Sequence, residues 1–120
     1  MFSMKIDFIN KIFFIHAEGV FSRQEGISYK KEYIEKVKQL TPYEFSFILD
    51  GAEVKASTRN VSEQLMEMMN LYMKTPFKKR ILIQQKSLVA RNQTQRLARE
   101  VKGFETFIFV ETMSEALRLI

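Results

Sequence analysis

The sequence predicts an α/β protein with a mainly parallel mixed sheet that begins with a β-hairpin. Three observations carry this reading. Short apolar runs alternate with longer segments whose apolar residues recur at helical spacing. Two capping boxes, "SRQE" at 22–25 and "TMSE" at 112–115, mark helix starts. Pro42, Pro76 and Gly103 mark helix ends.

The elements follow in order. Residues 3–8 and 11–18 read as two strands around Ile9-Asn10, a tight turn in which Asn accepts positive φ. In the second strand Ile12, Phe14 and His16 face one way and Phe13, Ile15 and Ala17 the other. Both faces are mostly apolar, as in a strand covered on both sides. Ser22 is the expected N-cap of the first helix, with Glu25 reaching back to it. Ile27, Tyr33, Ile34, Val37 and Leu40 form its apolar stripe, and Pro42 stops it.

"FSFIL", 45–49, is the next strand. A helix from Thr58 to Lys74 then carries Val61, Leu65, Met68, Met69 and Tyr72 on one stripe. "RILIQ", 80–84, is a short buried strand. Ser87 caps a helix reaching Lys102, closed by Gly103 in the C′ position. "FETFIFV", 104–110, is the last strand, and Thr112 opens a final helix through Ile120. The order is β-β-α-β-α-β-α-β-α, a pattern joined by right-handed crossovers. The 120 residues, 1–120, suit one domain, with no repeat, linker or low-complexity tract.

Composition excludes several functions. With no cysteine there is no disulfide, thiolate metal site or thiol nucleophile. The four glycines stand apart, so no glycine-rich loop can cradle a phosphate. His16 is the single histidine, and metal-binding histidines work with partners, so no metal or cofactor is expected; a packed, hydrogen-bonded role is. No apolar run approaches the ~18 residues of a membrane span, and no secretory cleavage site follows the N-terminus. The expectation is a cytoplasmic protein without membrane insertion. Net charge is +5, but residues 74–102 hold nine basic residues against Glu100 alone, a local +8 that leaves −3 elsewhere.

With this element order, "FILDGAEVKAS" before a helix, "ALRLI" ending the chain and a length of 120, the sequence resembles the STAS family, the anti-sigma factor antagonist fold. "LVARNQTQRLARE" has counterparts in uncharacterised bacterial STAS-like proteins. The resemblance implies a non-enzymatic regulatory or protein-interaction domain. Family members that act as phosphorylation switches carry Asp-Ser-Ser-Gly-Leu or similar where the second helix begins. The corresponding stretch here is Ser57-Thr58-Arg59-Asn60-Val61, without the acid, the glycine or the leucine. STAS-like folds are also similar to a class of lipid-binding domains, which makes small-molecule or lipid binding the alternative.

Four sets of residues are candidates. Ser57 and Thr58 are either helix N-caps or phospho-acceptors, and a phosphate there would meet the positive helix end and Arg59. Asp50 ends a strand where α/β sheets bind ligands, yet Asp50-Gly51 is also an ordinary turn dipeptide. Glu53 is its only acidic neighbour in sequence, and catalysis needs a second group tuned against the first, so no catalytic residue is assigned. Met66, Met69 and Met73 form an adaptable apolar ridge that suits a protein partner or a second copy of the chain. Arg91, Arg96, Arg99 and Lys102 share one arc of the third helix, opposite Ala90, Leu97, Ala98 and Val101. That basic arc is the candidate anion contact. It lacks the aromatic groups of a nucleic-acid binder, which favours a solvated face over weak nucleic-acid binding through 74–102.

Overall fold

The computed structural model describes residues 1–120. It contains β1 (Phe2–Asp7), β2 (Ile12–Gly19), α1 (Arg23–Val37), β3 (Ser46–Val54), α2 (Arg59–Lys74), β4 (Lys79–Ile83), α3 (Leu88–Ala98), β5 (Ile108–Val110) and α4 (Met113–Arg118). Short 3-10 turns occupy Pro42–Glu44 and Phe104–Thr106. The strands form one sheet in the order β1-β2-β3-β4-β5. β1 is antiparallel to β2, and all other neighbours are parallel. No helix is long and apolar enough to cross a membrane.

This topology dictates the layers. Each parallel strand lies beside the one before it, so crossovers of a single hand place α1, α2 and α3 on one face. That face holds the main core, in which Phe13, Ile15, Phe47 and Leu82 meet Tyr33, Met69 and Tyr72. Much of it is aromatic: Phe47 stacks on Phe77 at 4.9 Å between ring centroids and on Phe13 at 5.6 Å. Such pairs add about 0.5–1.5 kcal/mol each beyond the area they bury. The helix α4 covers part of the other face, where Ala116 packs with Ile12, Ile48, Ile81, Ile83 and Val110.

Several local expectations are corrected. In the β1–β2 hairpin the residue with positive φ is Lys11 (58°), not Asn10. The Asp7 carboxylate sets this turn, accepting the N–H of Asn10 at 2.9 Å, the N–H of Ile9 at 3.1 Å and the Asn10 amide at 2.9 Å. Ser22 does cap α1, accepting the Glu25 N–H at 3.1 Å. The Glu25 side chain, however, pairs with the amino group of Met1 rather than reaching back.

The buried side of α1 is also turned. Tyr29 and Tyr33 are buried, whereas Ile27 and Ile34 are 49% and 37% exposed. Gly26, Tyr29 and Tyr33 share one face at i, i+3 and i+7. A Cβ on Gly26 would run into the amide end of Gln64, so the glycine leaves room for that side chain between α1 and α2. The tyrosine hydroxyls find partners there, Tyr29 with Tyr72 at 2.5 Å and Tyr33 with Thr75 at 2.8 Å.

β3 runs to Val54, well past the five residues expected, and keeps Asp50-Gly51 inside the strand. Asp50 is paired in parallel register with His16 on one side and Ile83 on the other. Ladders on both sides hold the backbone extended against the turn preference of the dipeptide. At the other end of the chain, α3 stops at Ala98 and Lys102 lies beyond it. Gly103 does take a left-handed conformation (φ 86°), but it opens the 3-10 turn over Phe104–Thr106. This turn drives Phe104 and Phe107 into the main core, stacked at 4.6 Å, and leaves three residues of "FETFIFV" to form β5. Thr112 caps α4 as expected, accepting the Glu115 N–H at 3.1 Å.

Candidate functional site

Asp50 lies on the sheet face that α4 partly covers, two residues after Ile48, whereas Ser57 and Thr58 lead into α2 on the opposite face. Asp50 sits near the end of β3 beside His16 of β2. Its Oδ2 lies 3.1 Å from His16 Nδ1, and its Oδ1 accepts the Ala52 N–H at 3.2 Å. A carboxylate only accepts, so Nδ1 carries the proton and Nε2 is left as the basic nitrogen. Asp50 therefore has the second group that sequence proximity did not supply, 34 residues away. His16 is hydrogen-bonded as expected, but its side chain is 43% exposed rather than packed. On the sheet face that carries it, α4 packs chiefly on β4 and β5, away from His16.

The pair has the geometry of a base and its orienting acid. The other group near Nε2 is a carboxylate oxygen of Glu18 at 3.8 Å, which cannot serve as a nucleophile's hydroxyl. Glu53 is tied to Lys86 at 2.7 Å, and the ammonium beside it holds its carboxyl below the usual range. No group of three or more His, Asp or Glu side chains is arranged to hold a metal ion.

At the start of α2, Thr58 occupies the N-cap position, but its side chain makes no capping bond. The expected capping role therefore fails for its hydroxyl. Its carbonyl does serve the helix, accepting the N–H groups of Val61 and Ser62 at 3.1 and 3.0 Å. Ser57 is held through its backbone instead. Its N–H donates to Gln93 Oε1 at 2.8 Å, and its carbonyl accepts from Gln93 Nε2 at 3.0 Å. Gln93 is a residue of this region that sequence reasoning missed, and its role in the structure is to hold the backbone of Ser57. The signal was a glutamine on the apolar side of α3, three residues from Ala90 and four from Leu97.

Four of the nine basic residues of 74–102, namely Lys79, Arg80, Lys86 and Arg91, are engaged within the fold. Arg91 donates to the Gln85 carbonyl at 3.0 Å and to the Glu111 carboxylate at 2.9 and 3.3 Å, which removes it from the anion-contact set. Lys79 donates to the Leu119 carbonyl at 2.5 Å. Arg80 donates to the carbonyls of Tyr72 (2.9 Å), Met73 (3.3 Å) and Thr75 (2.5 Å), so its guanidinium caps the C-terminus of α2. Arg96, Arg99 and Lys102 stay exposed, but Lys102 no longer shares a helix with the others.

The methionine ridge is corrected too. Met69 is 1% exposed and belongs to the core. Met66 and Met73 are partly buried against the same core. Leu97 of α3 shares a cleft with Met66, and a Cβ on Gly103 would come within 3.3 Å of Met73 Cε. The ridge is thus mostly covered by α3 and the turn after it. Large apolar side chains are left outside at several other places, among them Ile9 and Tyr43 and the adjacent Leu88 and Val89, which lie in the first turn of α3 and are 70% and 68% exposed. Val89 precedes Gln93 by four residues and so lies on the helix side that faces Ser57.

No protein-family model matches the chain, and no curated protein matches its sequence. Among solved structures it is similar to an uncharacterized protein of the DUF3478 family, with a SpoIIAA-like fold, from Shewanella loihica PV-4. The two share 13% identity over 99% of this chain and 91% of that one, with a TM-score of 0.69. The protein therefore has a SpoIIAA-like, or STAS-like, fold, with the element order and hairpin that the resemblance implies.

Proposed function

We propose that the protein is a non-enzymatic regulatory module of the bacterial cytoplasm that binds a protein partner where α2 and α3 begin. The observation that carries this reading is the exposure of Leu88 and Val89 beside a segment whose backbone Gln93 hydrogen-bonds at Ser57. On a helical turn whose backbone is already ordered, docking costs these side chains only their rotamer freedom, and burying each apolar group contributes about 1.5–3 kcal/mol. Ala90 already makes the buried contact of that turn, so packing alone does not account for its two neighbours. Thr58 is the regulatory hydroxyl in this reading. It is exposed and makes no capping bond, and a phosphate there would meet the positive end of α2 beside Arg59.

Capture of partners from the source cell on immobilised protein, read by mass spectrometry, tests the reading. Wild type should retain a specific protein that the Leu88→Glu, Val89→Lys double variant releases, while the two melt alike. Equal retention by both proteins would sink it.

A further inference from the structure

Between the sheet and the three helices of the main face lies a cavity of about 110 Å³. It sits by the carboxyl ends of β3 and β4, the region where open α/β sheets bind ligands. Leu49, Val61, Leu65, Met68 and Phe104 form much of its wall. Lys55, an exposed residue at its rim, is the one charged side chain in the lining. One water claims about 30 Å³ of liquid, and an engineered cavity of about 150 Å³ in another protein holds benzene. The space therefore suits a compact ring rather than a lipid chain. Met68 and Met69 in the wall are unbranched and adapt their shape to an occupant.

Two polar features of this wall are incomplete. Gln64 Oε1 is buried without a hydrogen-bond partner. The Nε2 of the same amide donates to the Arg23 carbonyl at 3.1 Å, and reversing the amide would set oxygen against oxygen, so the orientation is fixed. Buried side-chain acceptors with no partner are few in folded proteins, and each calls for a cause. The second feature is the Tyr29–Tyr72 pair, whose hydroxyl oxygens are 2.5 Å apart. Two hydroxyls sharing one bond use one of their two protons. Burial raises the pKa of both phenols, so both stay protonated and one donor is left over.

A spare acceptor and a spare donor in an apolar wall match a group that both donates and accepts. We propose that this cavity is a binding site for a small uncharged alcohol or phenol, a compact apolar body carrying one hydroxyl. The apolar body takes the place between Leu49, Val61 and Met68, and the hydroxyl reaches the buried Gln64 Oε1 or tyrosyl proton as the adaptable side chains of Met68 and Met69 shift. Ser57, Ala90 and Gln93 line this site and also border the protein-docking surface, but the ligand is bound and read without a protein partner, so neither proposal depends on the other.

Phenol, benzene and cyclohexane titrated into the full chain test the site, read by the methyl NMR signals of Met68 and Met69. Phenol should give saturable shifts and bind about tenfold tighter than benzene, the margin that one net hydrogen bond supplies. Gln64→Leu should abolish that margin and leave benzene binding in place. Ala90→Leu, which fills the cavity, should abolish both. Melting curves establish that each variant is folded, and the phenol-to-benzene ratio of the wild type stands without them. Equal affinity for phenol and benzene would overturn the polar half of the proposal. The absence of saturable shifts with every probe would mean that the cavity holds water alone, and would overturn it entirely.

Discussion

The side-chain amide of Gln93 bonds both backbone groups of Ser57, accepting its N–H at 2.8 Å and donating to its carbonyl at 3.0 Å. A single buried side chain of α3 thereby fixes the segment that leads into α2. Gln93→Leu leaves both groups of Ser57 without this partner and should cost about 1–3 kcal/mol. Urea melts measure the loss, and amide exchange should accelerate at Ser57 and through the first turn of α2. Gln93→Glu keeps the acceptor but sets a buried carboxylate oxygen against the Ser57 carbonyl, so near neutral pH it should cost at least as much as Gln93→Leu, and less as the pH falls and the carboxyl protonates.

Asp50→Asn should leave the fold intact and cost about 0.5–1.5 kcal/mol, because it weakens one partly exposed bond to His16. It should abolish no hydrolytic or transferase activity. Melting curves and a broad substrate screen of wild type and variant check both statements. An activity lost specifically in the variant would mean that the Asp50–His16 pair is catalytic.

The arginines of α3 should separate into two classes. Arg96→Gln and Arg99→Gln change exposed charges and should shift stability by no more than about 0.5 kcal/mol each. Arg91→Gln also removes the bond to the Gln85 carbonyl and should cost about 1–2 kcal/mol, mostly through that bond, since the Glu111 end is solvent-screened. Denaturant melts of the three single variants, run side by side, distinguish the classes.

The hairpin turn carries a pH signature. Hydrogen bonds from the Asn10 backbone and side chain, and from the Ile9 N–H, hold the Asp7 carboxyl below its usual 3.8. A carboxyl depressed in the folded state stabilises above its unfolded pKa, and that stability is lost as pH falls through the folded value. Wild type should therefore melt higher than Asp7→Asn at pH 5–7, and the gap should close as pH drops below 3.8. A gap independent of pH from 2 to 7 would mean that the turn draws on the shape of Asp7 and not on its charge.

Local signals in the chain were good guides where the physics is local. Ser22, Ser87 and Thr112 cap the helices they precede, each accepting a backbone N–H three residues on. Element order and topology follow from the alternation of apolar periods, and the sheet has the expected parallel core and leading hairpin. The misreadings arose where distant residues decide. Asp50-Gly51 reads as a turn because its preference is local, whereas the ladders to His16 and Ile83 come from other strands. Ile27 and Ile34 look as apolar as any core residue, but the aromatic contacts and hydroxyl partners that Tyr29 and Tyr33 find on distant elements give those two the buried face. Met69 and Met66 belong to one ridge in sequence, and the path of α3 and its following turn sets how far each is covered. Of the candidate site, Ser57 and Thr58 were visible as hydroxyls at a helix start. The grip of Gln93 on that start is a tertiary contact across 36 residues.

The strand order has a consequence for how the chain acquires its shape. Every strand lies beside the strand synthesised just before it, so each new pairing closes a loop no longer than one crossover. Closure entropy grows with loop length, and short closures favour rapid assembly. The sheet can extend in the order of translation, with its open edge moving from β3 to β4 and then to β5. Growth ends on a strand of three residues, a poor template for the strand of another molecule. Order of synthesis and order of pairing coincide, and the last strand closes the series against aggregation.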